Sequence, residues 1–201
     1  AQSLRASAGP LEVYQASLAM VATLGPVDET SLARVVQLIN KTNQFNVTTI
    51  RRDRAEVAAL LENPKIVHFW VRLRDRFADH GLIAVVIAEV AGATLTIDTL
   101  LMSCRVIGRG VEEIIRDELV EQARHRGCSV LEGRYLASPR NGLVADLFPR
   151  LGFTSVDPST AEAVAGDLSA AAVTTWQLAV GADRGQHPRI RVERSTIPQA
   201  A

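Results

Sequence analysis

A chain of 201 residues, 47% apolar and 22% charged, is long enough for one domain with a full core. Its 22 basic and 22 acidic residues cancel. This excludes a nucleic-acid or membrane surface working by bulk charge and leaves any anion site to be local. Cys104 and Cys128 cannot build a disulfide framework, and with four scattered histidines they lack metal-ligand spacing, so no metal is expected. No apolar run could span a bilayer and the amino end shows no signal-peptide pattern, so a cytoplasmic protein is expected. Residues 1–17 read as linker or short helix, 18–180 as the domain and 181–201 as a flexible tail. The first residue is Ala, and a piece of a longer polypeptide is expected.

Leu18 to Leu24, closed by Gly25-Pro26, predicts a first strand. Asp28 then caps a helix in which Leu32, Val35, Val36 and Ile39 recur at helical spacing. The amide block from Asn40 to Asn46 predicts an ordered loop. Asp53 and Glu56 have capping-box spacing, and the short helix they open ends at Asn63-Pro64. Three antiparallel strands follow, Ile66–Leu73, Leu82–Val90 and Thr94–Met102. The middle one is apolar on both faces, so helices are expected on both sides of the sheet. Val111, Ile114, Ile115, Leu119 and Ala123 predict a long helix ending at Gly127. The remaining expectations are a strand at Ser129–Leu136, a helix at Asn141–Arg150, and strands at 152–156 and 173–180. Residues 157–172 and 181–201 have weak patterns and are expected to be mobile.

Between the fourth strand and the long helix stands Cys104-Arg105-Val106-Ile107-Gly108-Arg109-Gly110. Glycines let backbone N–H groups approach an anion, and the helix N-terminus that follows adds partial positive charge, so this turn is a candidate phosphate cradle. A plain strand-to-helix turn is the alternative.

The order of elements, with Arg-x-x-Gly-x-Gly after the fourth strand, resembles the GNAT acyltransferase fold, an α/β (α+β) architecture with a mixed, mostly antiparallel sheet flanked by helices. A second GNAT motif is matched by Asn141, Phe148, Gly152 and Phe153. The resemblance implies that Arg105, Val106, Gly108, Arg109 and Gly110 bind the phosphate of coenzyme A or of a phosphopantetheine arm. The arm would enter a splay between the fourth and fifth strands, pairing with exposed backbone, and Asn141 would bond it. GNAT enzymes commonly carry a Tyr acid where Phe148 stands; Phe cannot donate that proton and is read as a core aromatic.

Longer strings, Gln37-Leu-Ile-Asn-Lys-Thr-Asn-Gln-Phe-Asn46 with Thr48-Thr49, Asp75-Arg-Phe77, Ile97-Asp-Thr99 and Met102-Ser-Cys-Arg-Val106, resemble the GNAT-like C-terminal region of FkbH-like proteins. That resemblance implies transfer of a glyceryl unit to the phosphopantetheine thiol of an acyl carrier protein, in making polyketide extender units such as methoxymalonyl. A HAD-type phosphatase domain is expected upstream or as a separate partner, because no Asp-x-Asp pair occurs in this chain. Cys104, beside Arg105 and near a helix N-terminus, is the candidate thiol relay, with packing as its alternative. Asp98 is a candidate base, with backbone bonding as its alternative. Asn43, Gln44 and Asn46 are candidates for bonding glyceryl hydroxyls, with loop stabilisation as theirs. Two further readings stand beside this one: a CoA-dependent N-acyltransferase, against which Phe148 counts, and a non-catalytic carrier-docking domain.

Overall fold

The computed structural model describes residues 17–156, 173–181, 187 and 189–195. In chain order these form β1 (Met20–Gly25), α1 (Glu29–Lys41), α2 (Arg54–Leu61), β2 (Ile66–Arg74), β3 (Asp79–Ala91), β4 (Thr94–Met102), α3 (Val111–His125), β5 (Val130–Leu136), α4 (Leu147–Arg150), β6 (Thr154–Ser155), β7 (Val173–Ala179) and β8 (Ile190–Arg194). One eight-stranded sheet runs in the order β6-β7-β5-β4-β3-β2-β1-β8. Its pairs are antiparallel except β4 with β5 and β1 with β8.

The two amino-terminal helices start where local chemistry demands. The Asp28 carboxylate accepts the Ser31 N–H at 2.9 Å, and the Asp28 N–H donates to Ser31 Oγ, closing a capping box. Asp53 and Glu56 close the same figure on α2. Leu32, Val35, Leu38 and Ile39 from α1 and Val57 from α2 pack with Val85 and Ile87 of β3 and Leu101 of β4. The opposite face of β3, Ala84, Val86 and Ala88, packs in a second core with Ile114, Ile115 and Leu119 of α3. Both faces of β3 are thus covered, as its unbroken apolar run requires.

Two expectations fail. The helix predicted over Asn141–Arg150 is two short pieces, a 3₁₀ turn at Gly142–Val144 and α4. The Asn141 side chain bonds back to the Ser138 N–H and the Leu136 carbonyl, which fixes a turn in place of a regular first helical turn. The expected tail is also not all tail: Ile190–Arg194 pairs with Met20–Leu24 as an edge strand, and the Ser195 N–H donates to the Leu24 carbonyl. The other stretch expected to be mobile, 157–172, lies outside the described residues. Among the described residues no helix is long and apolar enough to cross a membrane.

Candidate phosphate cradle and the filled opening beside it

The strand-to-helix turn is built by its glycines. Gly108 and Gly110 have φ of 76° and 86°, a left-handed backbone that any side chain would strain. A 3₁₀ turn over Cys104–Val106 precedes them, closed by the Val106 N–H on the Ser103 carbonyl and the Ile107 N–H on that of Cys104. Gly110 is the N-cap of α3 and brings no side-chain cap, in contrast to Asp28 and Asp53 on α1 and α2. First-turn N–H groups have no acceptor within the helix ladder, and here the Val111 and Glu112 N–H groups face the Glu112 carboxyl in place of an N-cap side chain. A cavity of about 300 Å³ opens on it, lined by Gly108, Arg109, Gly110, Glu112, Glu113 and Arg150, with His187, Arg189 and Ile190 closing the far side.

The basic residues of the turn differ in setting. Arg109 lines the cavity but is anchored, its guanidinium 2.8 Å from Asp75 Oδ2. The same oxygen lies 2.8 Å from His80 Nε2, and the other carboxylate oxygen accepts the N–H groups of Phe77 and Ala78. Asp75 is nearly covered, with 5% of its side chain exposed. The His80 bond, aided by the Phe77 N–H, Arg109 and the Ala78 N–H, holds its carboxyl well below the usual range against the opposing effect of burial. The hairpin between β2 and β3 thereby clamps the glycine turn. Arg105 is exposed, lies outside the cavity lining and donates through Nε to Ser103 Oγ at 3.2 Å. Val106 is buried, so its part in the turn is its backbone. Cys104 is exposed at the foot of the turn, and among the described residues no hydrogen-bonding group engages its thiol. Cys128 is buried, which pushes its thiol up.

The opening between β4 and β5 has an occupant. The two strands pair only over Thr94–Ile97 and Val130–Gly133, then diverge beyond a bulge at Asp98. Phe45–Thr48, from the amide-rich loop, enters the gap in extended form, with Asn46 bridged antiparallel to Leu101. The Val47 N–H donates to the Leu100 carbonyl at 3.1 Å, the Met102 N–H to that of Phe45 at 3.0 Å, and the Leu136 N–H of β5 to that of Val47 at 2.9 Å. Thr48 Oγ1 donates to the Asp98 carbonyl at 2.9 Å. Phe45, Asn46 and Val47 are fully buried there. The exposed β4 backbone expected to receive a pantetheine arm is therefore already engaged at Asp98, Leu100 and Met102.

Asn141 locks this arrangement. Its Nδ2 donates to the carbonyls of Asn46 and Leu136, both at 2.9 Å, and its Oδ1 accepts from the Ser138 N–H and hydroxyl. Both amide hydrogens are spent within the chain, so the structure puts Asn141 to bracketing β5 and the inserted segment, a use different from bonding an arm. Asn46 is likewise inward: its Oδ1 accepts the N–H groups of Thr48 and Thr49 and its Nδ2 donates to the Thr42 carbonyl. Those bonds turn the chain out of the gap at Thr49, whose φ of 55° is rare for a β-branched residue. Asn43 accepts from Arg51, and Gln44 is exposed. Asp98 is ion-paired with Arg52 at 2.9 Å and accepts the Thr99 hydroxyl, with the same guanidinium also donating to that hydroxyl.

Phe148 is 1% exposed and lies against Gly133 of β5 so closely that a Cβ there would stand 2.2 Å from its ring. Its ring centroid is 5.1 Å from that of Phe153. The residue is a core aromatic, packed where β5 leaves room for it. His68 accepts the Val27 N–H at 3.1 Å, and burial, helped by Arg126, pushes its ring below the usual value, which marks it as structural.

Comparisons place this architecture among solved structures. The ribosomal-protein-S18-alanine N-acetyltransferase of Escherichia coli is 14% identical at a TM-score of 0.57, over 81% of this chain and 96% of that one. The GNAT domain of S. lividans PAT is 16% identical at 0.56, over 78% and 89%. The spermidine N-acetyltransferase of Vibrio cholerae, solved in complex with CoA and spermine, is 13% identical at 0.56, over 79% and 95%. No family model matches the sequence, and neither does any curated protein. Identities this low speak for the fold, and the fold is the GNAT acyltransferase fold.

Proposed function

We propose that this chain is an acyltransferase domain that holds the phosphate of a pantetheine-bearing thioester at the α3 N-terminus. The observation that carries the reading is an α3 end without an N-cap side chain, opened by left-handed Gly108 and Gly110 onto a cavity with Arg109 and Arg150 in its lining. Those groups fit a phosphate, through backbone donors and nearby guanidinium charge. The neighbour from Vibrio cholerae, solved with CoA, agrees with a ligand of that class. Such a thioester supplies an acyl carbon activated toward a nucleophile.

The finer reading follows the resemblance to FkbH-like proteins: a glyceryl unit passed to the phosphopantetheine thiol of an acyl carrier protein, with a HAD-type phosphatase domain as companion. Cys104 supports it as an exposed thiol at the foot of the cradle, and Asp98 with Arg52 forms a polar pair just beyond the inserted segment. The test incubates the chain with glyceryl-loaded carrier and an unloaded second carrier, following intact masses. Glyceryl appearing on the second carrier supports the reading, and a Cys104→Ala chain that transfers equally well removes the thiol relay. A second reading is favoured by the filled opening: with β4 backbone engaged by Phe45–Thr48, the domain docks the carrier and performs no transfer. Carrier binding without any mass change would select it.

A further inference from the structure

The cradle contains a group that neither reading uses. Glu112, in the first turn of α3, lines the cavity, is only 6% exposed, and its Oε2 has no partner among the described residues. Burial pushes its carboxyl up, and the charge of Glu113 adds to the push. Its own N–H, Arg150 and the Val111 N–H offset part of it. The carboxyl therefore sits among the backbone donors that a helix N-terminus offers to an anion. An ionised Glu112 and a phosphate would be two anions at one set of donors, with the Glu112 carboxyl itself withdrawn from water.

We propose that Glu112 is the proton-bearing ligand of the cradle: the phosphate group binds with the Glu112 carboxyl protonated, the carboxyl O–H donates to a phosphate oxygen, and the proton comes from solvent. This rests on the cradle reading above and names the residue that sets the conditions for it. The other charged or titratable groups facing the cavity are Glu113 on the same helix, Arg109 on the turn, Arg150 on α4, and His187 and Arg189 ahead of β8. His187 is held 2.8 Å from Asp117, and a proton on it would also favour an anion, so the experiment must separate the two.

Dephospho-coenzyme A is the suitable probe, because its diphosphate carries no group titrating near neutrality once the 3′-phosphate is gone. Calorimetric titration from about pH 5.5 to about pH 8.5, in two buffers of different ionisation enthalpy, reads affinity and proton uptake together. The expected result is affinity falling by up to about tenfold per pH unit in the upper range, with up to about one proton taken up per ligand. Glu112→Gln, which keeps a donor and the side chain's shape, is expected to bind with a flat profile and no Glu112 proton. Glu112→Ala is expected to bind more weakly but equally flatly, and His187→Gln to retain the slope. A flat parent profile without proton uptake overturns the proposal, as does a slope that survives in Glu112→Gln and vanishes in His187→Gln. No binding by any form at any pH overturns the cradle itself, a result distinct from both.

Discussion

At the scale of single residues, the polar chemistry around the cradle is divided between one carboxylate that is fully paired and one that is not. Asp75 receives His80, Arg109 and two backbone N–H groups, so its folded-state pKa is depressed and its ionised form favours the native state. The sign follows: that contribution is present above the ordinary value of 3.8 and is lost as pH falls below about 4. Asp75→Asn is expected to cost about 2 kcal/mol at pH 7, a drop of about 5 °C in Tm for a chain of this size. The gap to the parent should narrow in scans near pH 3. None of this cluster was readable as a cluster. In the sequence Asp75 stands only within the Asp75-Arg-Phe77 string and Arg109 as a phosphate ligand, and nothing local joins either to His80. Their meeting depends on the β2–β3 hairpin folding over a turn about thirty residues further on. Glu112 was visible only as an acidic residue in a first turn, where the macrodipole favours it. Its burial comes from the turn, α4 and the β8 approach closing around it.

At the scale of elements, what was legible is what is local. The capping boxes at Asp28 and Asp53, the change of period at Ile66, and the glycine turn before α3 all depend on residues within a few positions of one another, and each element starts where those signals lie. The exceptions are elements whose reason is remote. β8 has only five residues and a mostly polar composition, and it exists because the β1 edge accepts it. The amide block at Asn40–Asn46 did signal an ordered loop, but its destination between β4 and β5 rests on partners fifty or more residues away in sequence. Asn141 is the hinge of that arrangement. Asn141→Ala removes the donors to Asn46 and Leu136 and leaves buried carbonyls unpaired. We expect a loss of about 2–4 kcal/mol in urea unfolding, with a larger loss than Ser138→Ala, which removes only one bond to Asn141 Oδ1.

At the scale of the whole molecule, the sheet has one interior break and the chain fills it with itself. β4 and β5 part beyond Ile97 and Gly133, and the inserted segment rejoins them through Leu100, Met102 and Leu136. Removing it from the gap would expose Phe45 and Val47, both in the main core, and break five bonds to main-chain carbonyls. Backbone hydrogen exchange reads that event directly. The Val47 and Leu136 amides should exchange together and slowly, near the rate of the β3 amides, if the gap opens only when the core does. Exchange of Val47 and Leu136 well ahead of β3 would show a segment that lifts out alone.

The same insertion joins a loop from the first quarter of the chain to the strands and the bracket that form after residue 94. Before β5 and Asn141 are in place, Phe45 and Val47 have no wall on that side, so the loop that follows α1 cannot settle ahead of the carboxyl half. Folding of this domain should therefore be rate-limited by a late event at the centre of the sheet, with the carboxyl half acting as the template for a loop synthesised long before it.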